Sequence, residues 1–162
     1  MKVYIAARYS TKEEMKHVAV LLKDKGIDVT SSWLQEPHAA GTTMDQVDPQ
    51  DLCAYAQQDI EDIKAADVVV LFSVDPLMPT VRGGRHVETG IAIGLGKPLF
   101  VIGPVENIFH HLPYVKRFPT ISELIEGLLK EAYLLESMNF GPGEVVTEIV
   151  QPWGTDNGTT HR

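Results

Sequence analysis

Cysteine is nearly absent from this chain. Cys53 is the only one in 162 residues, which excludes an intramolecular disulfide framework and a cysteine-based zinc site. Basic residues are in deficit, with 14 Lys plus Arg against 22 Asp plus Glu and a formal net charge of −8. A chain of that balance has no bulk charge with which to hold a nucleic-acid backbone or an anionic membrane surface. Long apolar runs are also missing, and none approaches the roughly 20 residues of a spanning helix. The opening apolar stretch Val3 to Ala7 meets Arg8 at once and is too short for a signal peptide. The cytoplasm is the expected compartment. What remains is 44% apolar and 22% charged residues, a mix that can bury a core at the length of one ordinary domain.

Hydrophobic periodicity predicts the elements. Val3 to Ala7 reads as a first strand. Met15, Val18, Ala19 and Leu22 recur at helical spacing between Thr11 and Lys25, and Gly26 ends that helix. Ile27 to Trp33 alternates as a half-buried strand. Leu34 to Val47 has no period and is long enough to be a functional loop. Asp48-Pro49 then starts a helix that runs to about Ala65, with Asp48 as cap and Pro49 in the first turn. Asp67 to Phe72 and Leu99 to Ile102 read as strands buried on both faces. A helix from about Arg85 to Leu95 lies between them, after an irregular segment from Val74 to Gly84. Pro104 to Pro119 is a third connection, with a short strand expected near Val115. Ile121 to Glu136 is amphipathic. The expected domain spans residues 1–138. Residues 139–162 form a Gly- and Pro-rich tail, with a possible strand from Val145 to Val150.

Strands alternating with helices predict one parallel sheet covered on both faces. In such sheets ligands bind beyond the carboxyl ends of the strands. The loops there begin at Arg8, Leu34, Ser73 and Gly103, so the irregular and Gly-rich segments share one rim.

Two carboxylates on that rim carry the candidate chemistry. In Arg82-Gly83-Gly84-Arg85-His86-Val87-Glu88 the glycines permit a tight turn and close backbone approach to a ligand. Glu88 is expected in the first turn of the next helix, where free N–H groups and the dipole favour its ionised form. Two readings follow: a nucleophile, or an acid that merely satisfies the helix start. Asp59 lies on the helix before, flanked by Glu61 and Asp62, which read as solvated. Asp59 can share that solvated face. It can instead face the rim as a proton donor, its pKa raised by burial or a neighbouring carboxylate. Together the pair suits glycosidic chemistry through a covalent sugar ester. Tyr4, on the first strand, is core or a buried hydroxyl in want of a partner. Arg8, Tyr9 and Trp33 leave their strands toward the rim, where aromatics can stack on a nucleobase or pack in the core. Asn107 is a turn former on the ligand side. His17, His38, His86, His110 and His111 are scattered without metal-ligand spacing, and the Gly-rich segment is neither a dinucleotide fingerprint nor a P-loop.

These segments resemble the nucleoside 2-deoxyribosyltransferase-like family, which includes nucleoside deoxyribosyltransferases and related nucleotide N-glycoside hydrolases. The resemblance covers Lys2 to about Leu129. It rests on Tyr4-Ile5-Ala6-Ala7, Gln58 to Val70, Gly83 to Ala92, Gly96-Lys97-Pro98 and Gly103 to Pro113, in that order. It implies a flavodoxin-like doubly wound α/β fold, a three-layer sandwich. It assigns Glu88 as the nucleophile that forms the deoxyribosyl ester, Asp59 as the acid at the departing base, and Tyr4 as the tyrosine that holds the nucleophile. Tyr9 and Trp33 fall where aromatics wall the base pocket. Ala6, Arg8, Arg82, Gly83 and Gly84 are further expected substrate contacts. Asn107 resembles an asparagine lent across a subunit interface to the sugar 5′-hydroxyl, which implies a homo-oligomer with shared sites. The implied ligands are a nucleoside or nucleotide and a free base, and no metal or organic cofactor is implied. The chain departs from the transferases in carrying Arg82 where they have an acid six residues before the nucleophile, and the segment Ser73 to Gly84 is long. Arg82 and Arg85 can instead pair with a 5′-phosphate, as a nucleoside-monophosphate hydrolase requires. A non-catalytic nucleotide-sensing module on the same fold is the remaining alternative.

Overall fold

The computed structural model describes residues 1–39, 42–77 and 83–139. All but the first residue of the expected tail 139–162, with its strand from Val145 to Val150, lies outside them. Five strands form one sheet: β1 (Lys2–Ala6), β2 (Asp28–Val29), β3 (Val68–Phe72), β4 (Leu99–Ile102) and β5 (Val115–Phe118). The order is β2-β1-β3-β4-β5, and every neighbouring pair is parallel. Helices α1 (Lys12–Lys23), α2 (Pro49–Ala65), α3 (Gly84–Gly94) and α4 (Ile121–Asn139) connect and flank the strands. This is the flavodoxin-like α/β arrangement.

The core follows from composition. In β1, β3 and β4 the residues Val3 to Ala6, Val68 to Leu71 and Leu99 to Val101 are buried nearly without exception, as unbroken apolar runs covered on both faces require. Met15, Val18 and Leu22 of α1 and Leu124 and Leu128 of α4 close over them. The helix starts also obey local chemistry. Asp48 Oδ1 accepts from the Gln50 N–H at 2.8 Å, with Pro49 in the first turn of α2.

The second strand is shorter than its alternation predicts. Only Asp28 and Val29 pair with β1. Ser31 Oγ then accepts from the Ile5 N–H at 2.6 Å, so a side chain takes over the next ladder bond and the backbone is free to leave the sheet. The chain coils into a 3₁₀ turn over Ser32–Gln35. At the opposite side of the rim, Gly103 has φ +107, and a Cβ there would sit 2.6 Å from Ser73 Oγ. The Ser73 hydroxyl and N–H both donate to the Ile102 carbonyl at 2.9 Å, which ties the exit of β4 to the exit of β3.

The chain reverses its direction of sheet growth between β1 and β3. The loops after these two strands diverge there, and a crevice opens at their carboxyl ends.

Candidate active site

A cavity of about 570 Å³ fills that crevice, a volume suited to a small organic ligand. Its lining comes from the segment after β1 (Ala7, Arg8, Tyr9, Ser10), the turn after β2 (Trp33, Glu36, His38), helix α2 (Leu52, Tyr55, Ala56, Asp59) and the start of α3 (Gly84, Arg85, Glu88). Thr42, Thr43, Met44 and Val47 complete the wall.

Glu88 and Asp59 therefore share one cavity. Tyr4 lies beneath it, fully buried in β1. The Tyr4 hydroxyl, Asp59 Oδ1 and Glu88 Oε2 are each sealed from solvent without a hydrogen bond of good geometry. Polar atoms in that condition are costly unless something meets them. They nonetheless act on one another. Burial and then the charges of Glu88 and Asp59 keep the Tyr4 hydroxyl neutral far above the ordinary phenol range. Burial raises the Asp59 carboxyl to about 6, against the stabilising Tyr4 hydroxyl and with added repulsion from Glu36 and Asp62. Burial and then Asp59 push Glu88 up to about 8, against opposition from Tyr4 and Arg85.

Two expectations about Glu88 are thereby corrected. The helix begins at Gly84 with Gly83 as its cap, and the Gly83 carbonyl already accepts from the N–H groups of His86 and Val87 at 2.9 and 3.2 Å. Glu88 is thus in the second turn, past the free N–H groups, and first-turn stabilisation does not reach it. Nor is it held ionised. Desolvation outweighs any dipole effect, so the carboxyl of the free protein is mostly protonated at neutral pH. The glycines also differ from expectation. Gly83 has φ −75, neither glycine needs the left-handed region, and a Cβ on either would enter open space. Gly84 lines the cavity and Gly83 does not.

Tyr9 and Trp33 form one wall, with ring centroids 6.0 Å apart and planes tilted by 40°. Trp33 is anchored by its indole N–H, which donates to the Ile5 carbonyl at 2.9 Å. The Tyr9 hydroxyl donates to the His38 carbonyl at 3.0 Å. Arg8 joins the lining. Ala6 does not: it is fully buried in the sheet, and the wall begins one residue later. Arg82 lies outside the described residues.

Arg85, expected as a phosphate partner, lines the cavity but is already committed to a buried carboxylate. Its side chain is 3% exposed and paired with an equally buried Glu106, at 2.8 Å from Nη2 to Oε1. Glu106 Oε1 also accepts from the Val74 N–H at 2.5 Å. The carboxylate thereby joins the loops after β3 and β4 to the start of α3. Asn107, next along, stays out of its own chain's cavity. It caps the 3₁₀ turn Ile108–His111 by accepting from the Phe109 N–H at 3.0 Å. Asp62 is corrected too. It is buried and accepts from the Ser32 N–H and the Gln58 amide at 2.7 and 2.8 Å, which fixes the turn that carries Trp33. Glu61 remains exposed and pairs with Lys64.

Sequence reasoning missed Glu36, His38 and Tyr55. His38 and Tyr55 meet edge to face at 5.7 Å, with the His38 Nε2 3.2 Å from the Tyr55 hydroxyl. The aperiodic, polar segment after β2 was the available signal, but it singles out no residue. Among the described residues no group of three or more His, Cys, Asp or Glu is arranged to hold a metal ion. No helix among them is long and apolar enough to cross a membrane.

No family model matches the chain, and no curated protein does. Solved structures do. A Clostridium botulinum CMP N-glycosidase, BcmB, matches at 22% identity and a TM-score of 0.50, over 80% of this chain and 99% of that one. A 2-deoxyribosyltransferase from Bacillus psychrosaccharolyticus matches at 22% identity and a TM-score of 0.55, over 77% and 90%. A conserved protein from Enterococcus faecalis V583 matches at 18% identity and a TM-score of 0.52, over 81% and 98%. At such identities the shared property is the fold, and at that level the resemblance to the nucleoside 2-deoxyribosyltransferase-like family holds.

Proposed function

We propose that this protein cleaves the N-glycosidic bond of 2′-deoxynucleosides and passes the sugar to another base or to water. One observation carries the reading: Glu88, Asp59 and Tyr4 bring three buried, unpartnered polar atoms together at the floor and side of a nucleoside-sized cavity. A glycosidic reaction uses each of them. Glu88, once ionised, attacks C1′ from one face of the sugar. The C1′–O ester forms as the C1′–N bond breaks. The electron pair of the broken bond goes to the base, and Asp59 supplies its proton. In the second half-reaction an incoming base or water attacks C1′, Asp59 takes up the released proton, and Glu88 leaves as a carboxylate. Tyr4 favours the ionised form of Glu88, which is the form that must attack. Catalysis needs the charge of the pair on Glu88 and its proton on Asp59, although burial raises Glu88 further than Asp59.

The fold shared with a CMP N-glycosidase and a 2-deoxyribosyltransferase supports this class of chemistry. Between a nucleoside and its 5′-monophosphate, the commitment of Arg85 to the buried Glu106 carboxylate favours the nucleoside. Sharing of the site between subunits through Asn107 belongs to the same proposal. The test is incubation with a 2′-deoxynucleoside, its 5′-monophosphate and a free acceptor base, resolved by chromatography. The expected products are the exchanged nucleoside or free sugar from the unphosphorylated substrate, absent with Glu88→Ala. Substantial turnover by that variant overturns the mechanism. Saturable binding with no product over long incubation favours a sensing module.

A further inference from the structure

Beyond the two reacting carboxyls the cavity holds a third acid, Glu36, which the proposed chemistry leaves without a task. It follows the turn that carries Trp33, and it lines the same cavity as the aromatic wall. Among the described residues no lysine or arginine forms an ion pair with its carboxylate. The peptide that carries it is nevertheless held firmly. The buried Lys12 ammonium donates to the Glu36 backbone carbonyl, lies 3.5 Å from the His38 carbonyl, and sits 5.1 Å from the centre of the Tyr9 ring. A buried lysine is thus spent on backbone oxygens and a ring face, and the adjacent carboxylate, with the Tyr9 hydroxyl beside it, keeps acceptor capacity for a ligand. Burial raises the Glu36 carboxyl above its ordinary range, against the Tyr9 hydroxyl and Lys12. It also adds its repulsion to Asp59 across the cavity.

We infer that Glu36 reads the edge of the departing base and selects bases that carry an exocyclic amine over their oxo counterparts. The inference rests on the proposed N-glycosidic function and deepens it. The chemistry is one of matching donors to acceptors. An ionised carboxylate only accepts hydrogen bonds. The amine of adenine or cytosine donates to it, whereas the carbonyl that hypoxanthine or uracil carries at the same position repels it. A base lying against Tyr9 and Trp33 is gripped by its face, which every base offers equally. Discrimination must therefore come from an edge contact. A partly buried acceptor that a ligand shields from water and the wrong base leaves unmet is a feature that separates near-isosteric substrates.

Matched pairs that exchange one amine for one oxygen test this: 2′-deoxyadenosine against 2′-deoxyinosine, and 2′-deoxycytidine against 2′-deoxyuridine, at mildly alkaline pH. The native protein is expected to favour the amine member by about tenfold or more in kcat/KM, mostly through KM. In Glu36→Gln the ratio is expected to fall to within about threefold, because an amide both donates and accepts. A native ratio near one, a preference for the oxo member, or an unchanged ratio in the variant overturns the inference and leaves the function intact. Calorimetric binding of free adenine and hypoxanthine needs no turnover and separates the two claims. If neither nucleoside pair reacts, tighter adenine binding that Glu36→Gln abolishes sustains base selection while the function fails. Equal binding of the two bases, or no binding of either, refutes base selection.

Discussion

Replacing Glu88 by glutamine should abolish activity and, above neutral pH, make the protein more stable. Glu88 Oε2 is sealed from solvent without a hydrogen-bond partner, and its carboxyl is raised from 4.5 to about 8. Below 4.5 the group is protonated in both the folded and the unfolded chain, and it contributes no pH dependence. As pH rises from 4.5 to 8 the unfolded chain gives up the proton and the folded chain keeps it. The folded state then binds more protons, so native stability falls with pH, at about 1.4 kcal/mol per pH unit. Above 8 both forms are ionised and the loss is complete. Over that range it is on the order of 5 kcal/mol, an upper bound, because water entry and side-chain relaxation soften the burial of a charge. Glutamine has no proton to lose. Urea denaturation of the native protein and of Glu88→Gln in parallel, at acidic, neutral and alkaline pH, reads the effect directly. The stability difference should grow in favour of the variant up to about pH 8 and then level off. A constant difference, or one that favours the native protein as pH rises, refutes the placement of Glu88 in a desolvated site.

Other consequences of the same geometry can be measured separately. The kcat/KM profile should be bell-shaped, rising through about 6 and falling beyond about 8, because the pair works with one shared proton; activity undiminished well above the upper limb would contradict this. Tyr4→Phe should cost about tenfold or more in kcat/KM, since Tyr4 favours the ionised nucleophile, while leaving stability nearly unchanged because it also removes an unpartnered buried hydroxyl; paired kinetic and melting measurements check both halves. Glu106→Ala should destabilise the fold by roughly 3–5 kcal/mol, because it breaks the buried ion pair with Arg85, and equilibrium denaturation gives the number.

The alternation of strands and helices was legible because each strand carries its own burial pattern. Apolar runs such as Val68 to Leu71 can only be interior strands, and Asp48-Pro49 can hardly be anything but a helix start. What periodicity could not reach were contacts made at a distance. The Ser31 hydroxyl ends β2 early by bonding to Ile5, 26 residues away, and no local pattern in Ile27 to Trp33 reports that. Asp62 looks solvated by its neighbours, yet it is buried by a turn 30 residues earlier in the chain. The chemistry was legible in part for a similar reason. Glu88 and Asp59 stand beside recognisable turns and caps, but their protonation is set by desolvation, which depends on the whole crevice. Glu36 lies in a segment with no period at all, and only the cavity it lines draws attention to it.

The central claim is a transient bond between Glu88 and a pentose. Intact-protein mass spectrometry after rapid quenching with a 2′-deoxynucleoside tests it most directly. An adduct of deoxyribose mass that peptide mapping assigns to Glu88, and that disappears on addition of acceptor base, is the predicted result. Product formation with no adduct under any quench time, or an adduct on a different side chain, would contradict it.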